Sequence, residues 1–427
     1  MSRKTSDFNS QDVVYNTLKG DPVFMPFYLD EHTQEIRSDV AIEELHYAAG
    51  TPLEDRHLTM ASVYISKVYK DEIAAARVWE HLRILSYERR RNPIKEALNA
   101  LSWDGMPRLD TFFADVAGVE DNEYSRAVAS KTFIAAVARV MEPGCKVDSV
   151  LVLEGVQGAK KSSLLELLGA VAGERYVLTT KVQLGNKDTL QNISGAWFVL
   201  IDEFASFRKA EVDDLKAFIT QRKDRFRFPY DRLPKEMARR CIFLATINNT
   251  EAKYLEDVTG GRRFWPLEVK STVDLKKVAE IRDQVWAEAV ARYKAKEDWY
   301  IDESHPELAK QFREEQAKRQ TSDPWEHAVI RFIAKATREF TQDDLLEALG
   351  IAVKDRTQGD KNRVGKILTK LGIEGARKRI NGGRPNVYDP AEITAERRKH
   401  LQLVNTEAAR GPVSVEEESF SGHDGQK

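Results

Sequence analysis

Cysteine is nearly absent: Cys145 and Cys241 are the only two in 427 residues. Thiols so far apart give neither a zinc-ligand spacing nor a disulfide framework, which points to a reducing, cytoplasmic setting. Long apolar runs are missing as well. No segment approaches the ~18 apolar residues of a membrane span, and the opening Met1-Ser2-Arg3-Lys4 is polar, unlike a signal peptide. A soluble protein with no membrane partner is the expectation. Charge of one sign is also lacking, because 66 Lys and Arg face 68 Asp and Glu for a net charge of −2. That balance excludes a uniformly basic coat for nucleic acid and leaves room for local basic patches.

What is present divides into five stretches. Residues 1–90 read as a small, mainly helical N-terminal domain, with Ala74, Ala75, Val78, Leu82 and Leu85 at helical spacing. The run Arg89-Arg90-Arg91 reads as a solvated helix end, with phosphate contact as the alternative. In 91–300 the pattern changes. Apolar runs at 149–154, 197–201 and 241–245 alternate with helical stretches, as in a parallel sheet covered on both faces. The fold class is therefore α/β. Residues 301–324 read as a charged helical linker and 325–390 as a winged-helix-like unit ending in a β-wing at 386–388. Residues 391–427 form a charged, partly disordered tail.

The strongest chemical signal is Gly155-Val156-Gln157-Gly158-Ala159-Lys160-Lys161-Ser162, continued by Ser163, between a predicted strand and a predicted helix. Glycines let backbone N–H groups cradle phosphate oxygens, and the helix N-terminus adds partial positive charge. Lys161 would reach the terminal phosphates of ATP and Ser162 would ligate Mg²⁺. The usual glycine before that lysine is replaced by Lys160, at a cost of roughly 1 kcal/mol if the position is left-handed. Alone, the segment is also compatible with a plain glycine turn. Its partner lies 41 residues on (202 minus 161): the apolar run 197–201 delivers Asp202 and Glu203 at its end. There Asp202 would hold Mg²⁺ through water and Glu203 would orient the attacking water. Asn248 closes a third apolar run and suits a contact to the γ-phosphate. Arg262 and Arg263, after a glycine pair, suit an arginine finger offered to a neighbouring subunit, or surface arginines beside a buried Phe264-Trp265.

Together, LEGVQGAKKSS, IDEF, RFPYDR, ATINN and DVTGGRRFWPLEV resemble the virulence-associated protein E family, phage and mobile-element ATPases related to superfamily 3 helicases. The resemblance covers residues 90–300 and, weakly, 325–388. It implies a P-loop (RecA-like/AAA+) ATPase core, ATP and Mg²⁺, a hexameric homo-oligomeric ring and a role in replicating a phage or integrated element. It assigns Lys161 and Ser162 to the phosphate loop, Asp202 and Glu203 to the acidic pair, Asn248 to the sensor and Arg262-Arg263 to the arginine motif. Many relatives fuse a primase-polymerase domain upstream, but the region before Asn92 is too short for one, so primer synthesis is not expected of this chain; a separate primase or other replication proteins are partners compatible with the resemblance.

Two segments suit DNA. Residues 224–232 interleave Arg225 and Arg227 with Phe226, Phe228 and Tyr230, so the arginines would meet phosphates while an aromatic ring stacks on a base. The alternative makes the phenylalanines core and pairs the arginines with Asp224 and Asp231. Residues 361–385 carry eight Lys and Arg against Glu374, a net charge of +7. Arg363, Lys366 and Lys370 would lie largely to solvent along a recognition helix, and Lys378, Arg379 and Arg384 on a basic wing. A protein-contact face is the alternative. Three functional readings follow: an ATP-driven DNA helicase, a nucleotide-gated DNA-binding loader without unwinding, and a metabolite kinase.

Overall fold

A computed structural model describes residues 10–180, 187–201, 209–228, 233–248, 263–301, 306–319, 323–378 and 385–390. The chain divides into two compact units, Met1–Gln320 and Thr321–Lys427.

The first unit opens with a helical module: α1 (Gln11–Gly20), the two-residue strands β1 (Tyr28–Leu29) and β2 (Ile36–Arg37), α2 (Asp55–Tyr69) and α3 (Ala75–Glu88). Its own core gathers Phe24, Phe27, Leu45, Ile65, Val78 and Leu82. Then follow α4 (Pro93–Ala100), α5 (Phe112–Ala117) and α6 (Glu123–Met141). Asn92 caps α4 and Pro93 opens it, which suits a position whose N–H has no helical partner. Almost every residue of α6 from Tyr124 to Val140 is buried, consistent with a helix that is apolar or small around most of its circumference.

The central sheet contains β3 (Val150–Gly155), β4 (Val177–Thr180), β5 (Phe198–Ile201), β8 (Ile242–Asn248) and β9 (Phe264–Glu268), all parallel, in the order β4-β5-β8-β3-β9. Between them run α7 (Lys161–Gly169), α8 (Lys187–Ser194), α9 (Lys209–Thr220) and an antiparallel hairpin of β6 (Lys223–Phe226) and β7 (Lys235–Ala238). After β9 come α10 (Leu275–Lys294) and α11 (Pro306–Lys318).

Side chains alternate across the strands. Leu151 and Leu153 face the core built with α6, α7 and α10, while Val150 and Val152 face α8 and α9. On the first face Trp197 and Trp286, both fully buried, lie 4.7 Å apart between ring centroids. Trp197 Nε1 donates to the Ala136 carbonyl at 3.0 Å and Trp286 Nε1 to that of Leu168 at 3.1 Å, so neither indole leaves a polar atom stranded. The expected linker is different in kind: Leu308 and Phe312 of α11 are buried in this core, and α11 packs along β9. Their apolar spacing was submerged in the charge of the surrounding residues.

The second unit has α12 (Glu326–Lys335), α13 (Gln342–Ala348) and α14 (Gln358–Lys370) around Val329, Leu345, Val364 and Leu368. A small antiparallel sheet places β12 (Asn386–Tyr388) between β10 (Phe340–Thr341) and β11 (Ala376–Arg377). Two capping boxes, Thr341 with Asp344 and Thr357 with Asp360, fix where α13 and α14 start.

The N-terminal module is joined to the sheet by a buried polar seam. Tyr176 Oη donates to Asp30 at 2.6 Å, His32 Nε2 donates to the Ala196 carbonyl at 2.8 Å, and Arg240 donates to the Glu31 carbonyl. His32 Nδ1 has no hydrogen-bond partner. Protonating it would add an unmatched charge, so burial pushes the His32 pKa down to about 4; Arg240 adds to this, while the Ala196 carbonyl and Asp30 oppose it. A histidine with a depressed pKa binds fewer protons folded than unfolded between pH ~6.5 and ~4. Its contribution to stability is therefore intact above that window and lost as pH falls through it. Thermal melts from pH 7 to 4.5 should show a steeper loss of Tm in the wild type than in His32→Gln; parallel curves would contradict this account.

Candidate nucleotide site

The parallel register of β3 on β8 sets Gly155 opposite Asn248. Both residues end their strands, at the carboxyl edge where α/β sheets bind ligands. Gly155 is required there by close approach, because a Cβ would stand 2.7 Å from the Val269 carbonyl oxygen. The loop then passes through Gly158 at φ +85° and Lys160 at φ +61°, ψ +29° before α7 begins at Lys161. Lys160 thus occupies the left-handed region in which an L side chain is strained, and it is exposed. The segment after β9 braces the loop: Val269 N donates to the Glu154 carbonyl at 2.6 Å and Val273 N to that of Ala159 at 3.1 Å.

Lys161 is buried at 6 % exposure. Its Nζ donates to the Gly155 and Val156 carbonyls, each at 2.9 Å, and stands 3.5 Å from Asn248 Oδ1. Burial lowers its pKa below the ordinary lysine value. Ser162 Oγ is 3.5 Å from Thr246 Oγ1. Thr246 escaped the sequence reading, yet it lies two residues before Asn248 on one strand and so shares its face. Val156, Gln157 and Gly158 are exposed, Ala159 is buried and Ser163 is half-buried in the first turn of α7. A carbonyl-held ammonium, two converging hydroxyls and a left-handed loop ahead of a helix N-terminus fit a magnesium-bound triphosphate.

Asp202 and Glu203 directly follow the last residue of β5 and lie outside the described residues, as does Arg262. Arg263 is not brought to the phosphate loop. It precedes Phe264, which pairs with Val150 at the amino edge of the sheet, about 17 Å of strand from Gly155, and its Nε donates to Thr220 Oγ1 at 3.2 Å. Among the described residues no group of three or more His, Cys, Asp or Glu side chains converges on a metal site.

A buried ion pair stands beside the loop. Arg319, after α11, binds Glu154 at 2.8 Å and Glu315 at 2.6 Å, and it lines a cavity of about 440 Å³ that reaches Asn248. A carboxylate at the end of an apolar strand signals a partner; nothing local in sequence marked Arg319.

In the β6–β7 hairpin, Asp224 is buried and paired with Arg239 at 2.7 Å, not with Arg225 or Arg227. Phe226 is buried, with its ring 4.8 Å from that of Phe228. Period-two alternation leaves Arg225 exposed, and Arg227 beyond the strand is exposed too. Tyr230 is outside the described residues. In the second unit Arg363 differs from the expected solvated cation: it binds Asp323 at 2.7 Å and lies 4.0 Å over the Trp325 ring. Lys378 pairs with Glu339, and Lys366 is exposed. Arg379, Arg384 and the Lys370 side chain lie outside the described residues.

The family model described as virulence-associated protein E-like domain matches residues 98–321, more than half of the chain. The chain belongs to this family. A comparison with curated proteins finds no match. Among solved structures, the apo C-terminal region (305–718) of NrS-1 shows 12 % identity and a TM-score of 0.49 over 91 % of this chain and 100 % of that one. An A-form apo structure of the same region shows 13 % identity and a TM-score of 0.45 over 89 % and 99 %. Likenesses at this distance carry no functional information. The family match spans β3, α7, β8 and β9 entirely, so the phosphate loop, Asn248 and Arg319 all belong to the virulence-associated E-like region.

The strain at Lys160 is measurable. Lys160→Gly should stabilise the nucleotide-free protein by about 0.5–1 kcal/mol, the ~1–2 kcal/mol of relief exceeding the extra unfolded-state entropy of glycine. Lys160→Ala should give no such gain in Tm, and equal behaviour of the two variants would contradict a left-handed residue 160.

Proposed function

We propose that this virulence-associated E-like protein is an Mg²⁺-dependent ATPase that moves along DNA during replication of a phage or mobile element. The observation that carries the reading is the convergence of Lys161, Ser162, Thr246 and Asn248 at the carboxyl edge of adjacent parallel strands. Counted in chain order the sheet runs 5-1-4-3-2, with the Asn248 strand between the loop strand and the strand that leads into Asp202 and Glu203. This order supports a RecA-like/AAA+ core, in which the strand carrying the polar sensor lies between the loop strand and the strand that runs into the acidic pair.

In this reading Lys161 exchanges its carbonyl partners for the β- and γ-phosphates, and the loop N–H groups and α7 hold the remaining phosphate oxygens. Ser162 and Asp202 would hold Mg²⁺, which neutralises charge on the phosphates when bound. Glu203 orients the water and accepts its proton, and Asn248 aligns that water with the γ-phosphate. Arg263 lies too far from the loop to serve its own subunit, which favours, with Arg262, a finger offered across a hexameric ring. DNA would meet Arg225 and Arg227 of the hairpin and a winged-helix-like second unit, with Lys366 as its exposed cation. A separate primase would supply primers, and the setting would be the bacterial cytoplasm.

ATP hydrolysis should be stimulated by single-stranded DNA and fall about 100-fold or more in Lys161→Ala and in Glu203→Gln. Absence of hydrolysis with and without DNA would overturn the reading. Hydrolysis without strand separation on a fork would assign the protein to nucleotide-gated loading.

A further inference from the structure

A groove of about 1480 Å³ runs between the N-terminal module and the outer edge of the sheet, where β4 is the last strand. One wall is a face of α3. Trp79, Arg83 and Tyr87 stand at i, i+4 and i+8, and at 3.6 residues per turn they project from one side, while Arg90 lies just past the end of the helix. The Arg83 guanidinium lies 5.5 Å from the Trp79 ring centroid and that of Arg90 lies 5.0 Å from Tyr87. Tyr87 is 59 % exposed, unusual for a ring that could have packed inward. The opposite wall is the turn end of the hairpin, where Lys235 Nζ lies 5.5 Å over the Phe228 ring. The groove is therefore lined by three aromatic rings, each with a cation over one face, Tyr87 being the most exposed of them and Trp79 partly packed on the N-terminal core.

The arginine run before Asn92 shares in this arrangement unequally. Arg89 donates to the Phe24 and Met25 carbonyls, and Arg91 is held between Asp39 and Glu96. Arg90 alone of the three lines the groove. Carboxylates line it too. Four of the five are already in ion pairs: Glu31 with Arg90, Glu35 with Arg37, Glu88 with Lys19 and Glu236 with Lys223. Glu80 is the fifth.

Alternating rings and cations fit a strand whose bases are unstacked and whose phosphates run alongside. Duplex DNA offers no free base faces. Trp79 and Tyr87 are about 12 Å apart along the helix axis, which leaves room for a base between them. Phe228 directly follows the segment that carries Arg225 and Arg227, so the groove continues the surface assigned to DNA above. We infer that this groove is a path for single-stranded DNA, with bases stacking on Trp79, Tyr87 and Phe228 and phosphates meeting Arg83, Arg90 and Lys235. The inference rests on the DNA-dependent reading and extends it to the N-terminal module.

The test is fluorescence anisotropy of a labelled oligo-dT of about 20 nucleotides with the full chain at fixed salt. Three proteins are compared: wild type, Arg83→Ala/Tyr87→Ala, and Arg225→Ala/Arg227→Ala. The first pair is exposed, so its loss should leave the fold, the DNA-free hydrolysis and the assembly state unchanged. Affinity should fall about tenfold or more. Groove-variant affinity within about twofold of wild type would overturn the inference; if the hairpin variant alone loses binding, the DNA reading survives without it. Affinity lost together with assembly, read by mass photometry, would assign the groove to contact between copies and overturn it. A wild type that fails to bind oligo-dT would remove both.

Discussion

The register that pairs Gly155 with Asn248 is the constraint on which the candidate site depends. Parallel strands end together, so the exit of one strand and the polar end of its neighbour must meet. The chain leaving Gly155 has only a short loop in which to reverse into α7. It does so through two left-handed residues, Gly158 and Lys160. Lys161 then enters the first turn with its ammonium drawn back onto the loop carbonyls and 3.5 Å from Asn248. A slip of one residue would turn Asn248 to the other face of the sheet.

Several buried contacts fix the framework around this edge. The Trp197–Trp286 pair ties α6, α7 and α10 to the sheet; truncating either ring would cost about 3–5 kcal/mol. Arg319 neutralises Glu154 immediately before the loop. The Asp224–Arg239 pair plants the hairpin by its base, with Arg225 and Arg227 exposed. That pair is buried on both sides, so its main effect is to fix geometry, and losing one partner would strand a charge. The seam through Asp30, His32 and Tyr176 seats the N-terminal module beside the same sheet, forming one wall of the groove.

The parts legible in sequence were those set by local pattern. Apolar runs of four to seven residues marked three of the central strands. The loop between β3 and α7 was readable because glycine spacing and the lysine-serine pair have a local mechanical reason, and the strain expected at Lys160 is present as φ +61°. β4 and β9 were harder. β4 is only half-buried, and β9 is interrupted by Pro266, which an edge strand tolerates. The role of α11 was illegible because Phe312 sits among charges, and Arg363 looked solvated because its partner, Asp323, is 40 residues away. Long-range pairing of this kind leaves no local periodicity to read.

The central claim is that Asn248, brought to Lys161 by strand register, reads the terminal phosphate of a bound nucleotide. Calorimetric titration of wild type and Asn248→Ala with Mg²⁺ and either ADP or a non-hydrolysable ATP analogue tests it most directly. The account predicts that Asn248→Ala loses about tenfold in affinity for the triphosphate while ADP binding stays within about twofold. Equal affinities of the two proteins for the triphosphate, or an equal loss for both nucleotides, would contradict it.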